Sequence, residues 1–204
     1  MKNIYIFLFI LSLKSLYSQN KKIIFADEDL NILSKEEYLN NPLQKKHFEY
    51  EVKNDSSIIR VKVERQKFGR IDKATNQKIR VYLQNLSNYP IDSSKTIVIN
   101  YFPSVDKCQG KDNWNSFFIQ KCNSYIKRLE KINNISQFFI FKDKNSVKNF
   151  GRKFKWYKDE DKLIEKNFFK FHYPCFSYVI IKPNGNYYSE RGEYNISSIP
   201  EKLK

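Results

Sequence analysis

The run Thr96-Ile97-Val98-Ile99-Asn100-Tyr101-Phe102 is the strongest structural signal in this sequence. Its β-branched and aromatic side chains favour an extended backbone. Apolar residues that continue without alternation are typical of a strand buried on both faces of a sheet. The run therefore predicts the central strand of an α/β domain.

The residues that follow predict alternating helices and strands. A long helix has one apolar face, and a second strand spans Gln137–Lys142. Another helix is expected from about Asn145. Its opposite face is basic, and we interpret this face as solvated, although a binding role is an alternative. The apolar face of the long helix comprises Trp114, Phe118, Cys122, Tyr125, Leu129 and Ile132. The next helix would carry Val147, Phe150, Phe154 and Tyr157 on its apolar face and Lys144, Lys148, Arg152 and Lys155 on its basic face.

The end of the chain predicts a restarted helix, a hairpin and a last short helix. Asp159-Glu160-Asp161 is interpreted as a solvated break, with helix resuming to about Phe168. After Pro174, strands are expected over 176–182 and 187–191. Pro183-Asn184-Gly185-Asn186 joins them, since it combines a fixed φ with residues that tolerate positive φ. Pro200 lies in the first turn of the last helix.

Residues 20–94 predict a small α+β extension. Lys22–Phe25 is a short strand, and Ser34-Lys35-Glu36-Glu37 is a capping box that begins a brief helix. Residues 47–53 and 58–65 alternate like a β-hairpin, and apolar residues at helical spacing predict a helix over 75–89. Asp92-Ser93-Ser94 resembles a linker. We therefore expect an extension over 20–94 and a second domain over 95–204.

The first 19 residues resemble a cleaved secretory signal. They combine a cation at Lys2, an apolar run over 4–13 and small or polar residues at 17–19. An amphipathic strand or a membrane anchor is the alternative, but the run is about half the ~20 residues of a membrane span. We expect export to the periplasm or the extracellular space, a mature chain from about Asn20, and no later membrane span.

The chain is basic throughout its length. Without Lys2 and Lys14 it keeps 35 basic against 22 acidic residues, a formal charge of +13. Such a charge favours nucleic acid or an anionic surface as a partner. The lysines are dispersed, however, and an exported protein leaves the compartment of the nucleic acid. We therefore predict no nucleic-acid partner.

Three cysteines, Cys108, Cys122 and Cys175, can form at most one internal disulfide. With only His47 and His172 as histidines, their spacing matches no zinc pattern. We expect neither a metal nor another cofactor. Cys122 lies on the apolar face of the long helix and is predicted to be a buried free thiol.

The order of elements from Thr96 resembles the thioredoxin-like (redoxin) superfamily. Ile97–Pro103 is similar to the first core strand of that family. Tyr173-Pro174, the hairpin over 176–186 and Gly192-Glu193-Tyr194 are similar to its cis-proline strand and following hairpin. The resemblance covers about half of the chain. It implies a thioredoxin-like three-layer fold with a mixed central sheet.

The resemblance places Cys108 where the family has its nucleophilic thiol, at the start of the helix after the first core strand. A helix N-terminus and nearby Lys107 and Lys111 would stabilise the thiolate, which is the attacking form. The chain departs from the family because Lys111 stands where a Cys-x-x-Cys motif has its second cysteine. The threonine and spacing of a peroxidatic loop are also missing.

The resemblance further implies that Pro174 is a cis-proline and that Tyr173 and Pro174 bind an extended peptide. Cys175 follows directly, and a disulfide or resolving pair with Cys108 is one expectation. His172 could act as a base or tune a thiol, although a structural role is the more common one.

Two functions from different classes follow. The first is thiol-disulfide exchange with Cys108 as the nucleophile and Cys175 or an external thiol completing the reaction; a protein or peptide thiol or disulfide is then the partner. The alternative is a redox-inactive module that binds a peptide or protein at the proline loop. A third hypothesis, an anionic surface as partner, rests on net charge alone.

Overall fold

A computed structural model describes residues 21–40, 46–105, 114–150 and 154–203. The fold is mixed α/β with two mixed sheets. The chain forms two compact units, Met1–Glu64 and Arg65–Lys204. The predicted signal over 1–19 and the predicted thiol Cys108 lie outside the described residues.

The first unit contains a four-stranded sheet in the order β2-β1-β4-β3. Its strands are β1 (Lys22–Ala26), β2 (Ile32–Leu33), β3 (His47–Lys53) and β4 (Ser57–Glu64), and its described helix is α1 (Lys35–Leu39). β1 pairs parallel with β4, and β3 and β4 form an antiparallel hairpin. The predicted strand and hairpin are thereby confirmed.

The capping box at the start of α1 is also confirmed. The Glu37 backbone N–H donates to the Ser34 hydroxyl at 3.1 Å, and the Ser34 backbone N–H donates to the Glu37 carboxylate at 2.8 Å. The pKa of Glu37 is lowered because Ser34 donates to its charged form. These reciprocal bonds explain why so short a helix begins at this position.

The second unit contains a six-stranded sheet in the order β5-β10-β9-β6-β7-β8. Its strands are β5 (Gln66–Arg70), β6 (Thr96–Phe102), β7 (Ile135–Phe141), β8 (Trp156–Lys158), β9 (Ser177–Ile181) and β10 (Asn186–Glu190). β6, β7 and β8 are parallel, whereas β9 and β10 are antiparallel to their neighbours and β5 pairs antiparallel with β10. The predicted strand over 96–102 has the expected bounds and is buried at the centre of the sheet.

Both faces of β6, at the centre of this sheet, are buried. Helices α2 (Lys73–Ser87), α3 (Trp114–Leu129) and α4 (Leu163–Phe168), and a 3₁₀ helix (Ile196–Leu203), belong to the unit. Val98 and Phe102 of β6 join a core with residues of α3 and the 3₁₀ helix. Alternate residues of a strand point to opposite faces, and Tyr101 stacks on Phe169, just past α4, with ring centres 4.8 Å apart.

The helix predicted from about Asn145 is wrong. Two 3₁₀ turns, Lys144–Ser146 and Lys148–Phe150, are followed by β8, which pairs parallel with β7. The Trp156 ring lies 4.9 Å from Phe102 and 5.1 Å from Phe139, so strand pairing and aromatic packing outweigh the helical spacing of the apolar residues. The described lysines of the predicted basic face lie in or between these separate elements and form no helical stripe.

The division of the chain differs from the expected position. A linker was predicted at residues 92–94, whereas the structure divides after Glu64. The strand β5 pairs with β10 along its whole length, and the α2 residue Asn76 donates to the Pro183 carbonyl at 2.9 Å. These long-range bonds place residues 65–94 in the C-terminal unit. Within the described part of the chain, no helix is long and apolar enough to cross a membrane.

Candidate functional site

The candidate site is the loop that leads into β9. Cys175 is disulfide-bonded and only 3% exposed. Its φ is +69°, a left-handed conformation that is uncommon for a residue with a side chain. Tyr173 is buried at 2% exposure, whereas Pro174 is exposed. The loop thus exposes the Pro174 ring to solvent and buries Cys175.

The proposed cis-proline is wrong in its geometry. No cis peptide bond occurs among the described residues, so the Tyr173–Pro174 bond is trans. The Pro174 carbonyl accepts a hydrogen bond from the Glu193 backbone N–H at 3.1 Å. The trans isomer is the lower-energy form for most X-Pro bonds. In this loop the chain changes direction at Cys175, through its left-handed backbone conformation. The Pro174 carbonyl is therefore used within the protein.

A second loop, 191–193, holds the first one in place. The Gly192 backbone N–H donates to the buried Ser177 hydroxyl at 3.1 Å. The Arg65 guanidinium donates to the Gly192 and Glu193 carbonyls at 3.0 and 2.8 Å. These bonds connect three segments that are distant in sequence. They hold the two loops, and with them Cys175, in position.

A buried cation lies within this cluster of loops. Arg191 is 4% exposed, and its guanidinium carbon lies 5.5 Å from the centre of the Tyr173 ring. This geometry is a cation–π contact, which is strengthened when the cation is removed from water.

Cys122 and His172, the two remaining candidate residues, have simpler environments. Cys122 is a free, fully buried thiol, as predicted, and burial raises its pKa far above the usual range. It therefore has little nucleophilic thiolate at neutral pH. His172 is exposed beside Tyr173. Its proposed role as a base remains a prediction.

A buried polar network in the middle of the sheet was missed. Asn100 is fully buried on β6, and its amide donates to the Tyr194 hydroxyl at 2.7 Å. Its side-chain oxygen accepts from the Tyr125 hydroxyl at 3.1 Å and from the Gln137 amide at 2.9 Å. Burial raises the pKa of both tyrosines well above their usual value. A lone Asn within an apolar strand is the signal that could have identified the network.

Asp159 was wrongly interpreted as part of a solvated break. It is 4% exposed, and its carboxylate accepts the backbone N–H groups of Ile164 and Glu165 at 3.3 and 2.9 Å. The Tyr82 hydroxyl donates to it at 2.9 Å, and burial followed by the charge of Asp159 raises the pKa of Tyr82. Asp159 therefore caps the first turn of α4 and joins it to α2.

Residues that could hold a metal ion are not grouped in the part of the chain that the structure describes. No cluster of three or more His, Cys, Asp or Glu side chains occurs there.

Comparison with known proteins gives no family. The sequence matches no protein-family model, and no curated protein matches it.

Proposed function

We propose that this is an exported, divergent thioredoxin-like protein that exchanges thiols and disulfides through Cys108 and Cys175. The observation that carries the proposal is the disulfide at Cys175. The chain has three cysteines and Cys122 is a free buried thiol, so the cysteine count favours Cys108 as the partner. Export rests on the signal-like residues 1–19, which match a cleaved secretory leader.

The strand arrangement supports a thioredoxin-like core. The order β10-β9-β6-β7, with β6 and β7 parallel and β9–β10 an antiparallel hairpin, fits the sequence of elements that carries the resemblance. Two features depart from it. β5 and β8 extend the sheet at its two edges, and β7 and β9 are connected by 3₁₀ turns, β8 and the short α4.

The proposed reaction begins with the reduced protein. The Cys108 thiolate attacks one sulfur of a partner disulfide, that disulfide bond breaks, and one partner sulfur leaves as a thiolate. The Cys175 thiolate then attacks the Cys108 sulfur of the mixed disulfide and releases the second partner thiolate. The partner disulfide gains two electrons, and Cys108 and Cys175 become a disulfide. The two protons lost by the cysteines pass through solvent to the partner thiolates.

The surroundings of Cys175 support its role as the resolving sulfur. It is buried, so direct attack of an external thiol on the Cys175 sulfur is disfavoured. Exchange in the reverse direction would oxidise a partner dithiol by the same two steps.

Trapping of the mixed disulfide tests this order of events. The reduced Cys175→Ser variant is incubated with oxidised glutathione and analysed by peptide mass spectrometry. We expect a lasting glutathione adduct on Cys108, no adduct in Cys108→Ser, and resolution in Cys122→Ser as in the unmodified protein. Circular dichroism confirms that each variant is folded. An adduct that forms at equal rates in the folded and urea-unfolded Cys175→Ser variant would contradict an activated Cys108.

A second candidate is a redox-inactive module that binds a protein or peptide. The observation that favours it is the deep burial of Cys175, since a structural disulfide needs no access to solvent. The trans bond at Pro174 removes the reason for placing the peptide at a cis-proline loop. If oxidised Cys175 resists reduction by thiols in the folded protein, this second function replaces the first.

A further inference from the structure

One edge of the six-stranded sheet carries an aromatic groove. The groove has a volume of about 310 Å³ and includes Phe68, Ile180, Tyr188, Lys182 and Lys202 in its lining. Phe68 is 78% exposed, although its ring lies 4.7 Å from that of Tyr188. Phe68 and Tyr188 together form an aromatic surface at the groove, and contiguous apolar surface of this kind can contact a partner.

The strand beside this groove is open to pairing. β5 is the terminal strand of the sheet, and the described residues provide no further strand beside it. The Arg191 backbone N–H donates to the Arg65 carbonyl and the Ile71 backbone N–H to the Gly185 carbonyl, at the two ends of the β5–β10 pair. Antiparallel bonding alternates, so the intervening even residues Gln66, Phe68 and Arg70 direct their backbone groups away from β10.

Gly69 leaves room on β5 for the Tyr187 ring of β10. A Cβ at this position would lie 2.6 Å from the Tyr187 ring, which covers the glycine from β10. Glycine therefore permits the Tyr187 ring to lie directly over β5. The opposite edge of β5 keeps its backbone accessible from Gln66 to Arg70, since these three even residues are exposed.

The charge around the groove is positive. Lys182 and Lys202 line it, and Arg70 lies on the same face of β5 as Phe68 by strand alternation. Glu190 is the nearby carboxylate on β10, and it accepts the hydroxyls of Tyr178 and Tyr188 at 3.0 and 3.2 Å. The cations are therefore available to an acidic partner.

We propose that an acidic, extended peptide segment of a partner protein adds to the sheet along β5 and packs an apolar side chain against the exposed ring of Phe68 and the neighbouring Tyr188. Backbone bonds to Gln66, Phe68 and Arg70 would supply affinity, and the alternate side chains that face the groove would supply specificity. This inference rests on the second proposed function, partner binding, and is independent of thiol exchange.

A second copy of the chain fits this edge less well than an acidic peptide. Two β5 strands in contact would bring Arg70, Lys182 and Lys202 of each copy to one small surface. Like charges across paired strands are destabilising. The net charge of the chain, +15 over its full length, adds long-range repulsion between copies.

Peptide binding to the oxidised protein tests the proposal. The probe is a fluorescein-labelled peptide Thr-Glu-Thr-Phe-Thr-Glu-Thr, in which Glu, Phe and Glu share one face of a strand. We expect a saturable rise in fluorescence anisotropy. The double variant Lys182→Glu/Lys202→Glu should bind about tenfold more weakly. Each exposed ion pair raises the affinity by a factor of up to about five, and loss of both pairs multiplies the two factors. Phe68→Ala should also weaken binding, and the matched exposed variant Lys131→Glu should not.

Amide hydrogen exchange provides a readout specific to strand addition. Bound peptide should slow exchange at Phe68 and Arg70 and leave Lys67 unchanged, because the Lys67 amide already faces β10 by the same alternation. Absence of binding overturns the proposal. So does equal binding of a peptide with Lys in place of Glu, or of one in which the backbone nitrogens of the central Thr-Phe-Thr segment are methylated and cannot donate to β5. Cys108→Ser should bind normally, so a failure of thiol exchange leaves this result intact.

Discussion

Replacement of Asn100 by alanine is predicted to destabilise the protein strongly. The side chain is fully buried and joins the Tyr125 hydroxyl, the Tyr194 hydroxyl and the Gln137 amide. Each buried polar group that loses its partner costs about 1–3 kcal/mol, and the lost side chain leaves a small cavity. Gln137 is partly exposed and can bond to water. We therefore expect a loss of about 3–5 kcal/mol in the free energy of unfolding, chiefly from the two tyrosines.

Urea denaturation followed by circular dichroism measures this loss. For a slope of about 2 kcal/mol per M, the midpoint should fall by about 2 M. Asn133→Ala is the matched control, since Asn133 is exposed, and it should change stability by less than about 0.5 kcal/mol. A double-mutant cycle of Asn100→Ala with Tyr194→Phe should give a coupling of at least about 1 kcal/mol. A cost of Asn100→Ala below about 1 kcal/mol, or an absent coupling, would refute the reasoning.

Two further predictions concern the hairpin and the tyrosines. Gly185→Ala should lower the free energy of unfolding, measured by urea denaturation, by about 2–4 kcal/mol, because φ is +86° and a Cβ would lie 2.4 Å from the Ile71 carbonyl oxygen. The control Lys182→Ala, in the same turn, should lower it by less than about 0.5 kcal/mol. Equal losses in the two variants would disprove the conformational explanation. Stability should also fall with alkaline pH, because burial raises the pKa of Tyr188 to about 12 in the folded protein. The contribution of the neutral Tyr188 hydroxyl to the free energy of unfolding is complete below the unfolded pKa of about 10 and is lost as the pH rises through about 12. Denaturation at pH 9 and pH 11.5 checks this, and equal stabilities would contradict it.

Local signals were sufficient for much of the fold. The apolar run over 96–102, the capping box at Ser34 and the Pro-Asn-Gly turn each specify their structure within a few residues, and all three are confirmed. Three strands were missed: the two-residue β2, which pairs with β1, and β5 and β8, which are defined by their partner strands. β8 has helical spacing in its sequence but pairs with β7, and β5 is a short glycine-containing segment that pairs with a strand about 120 residues later.

The candidate site was less predictable than the fold. The burial of Cys122 follows from its helical face, and it is confirmed. Asp159 is one of three consecutive acidic residues, and only the three-dimensional position of α4 distinguishes the buried cap from its exposed neighbours. The trans bond at Pro174 and the buried charge of Arg191 depend on loops that meet only in the folded protein. The catalytic roles of Cys108 and Cys175 remain predictions.

The reduction potential of the Cys175 disulfide is the most direct test of the proposed exchange. The purified protein is equilibrated in glutathione buffers of graded potential, free thiols are alkylated, and the oxidised fraction of Cys175 is read by peptide mass spectrometry. An exchanging pair should titrate between about −120 and −270 mV, the range of thiol-disulfide oxidoreductases. A disulfide that stays oxidised below about −300 mV is structural by the same scale. That result would contradict thiol exchange as the function.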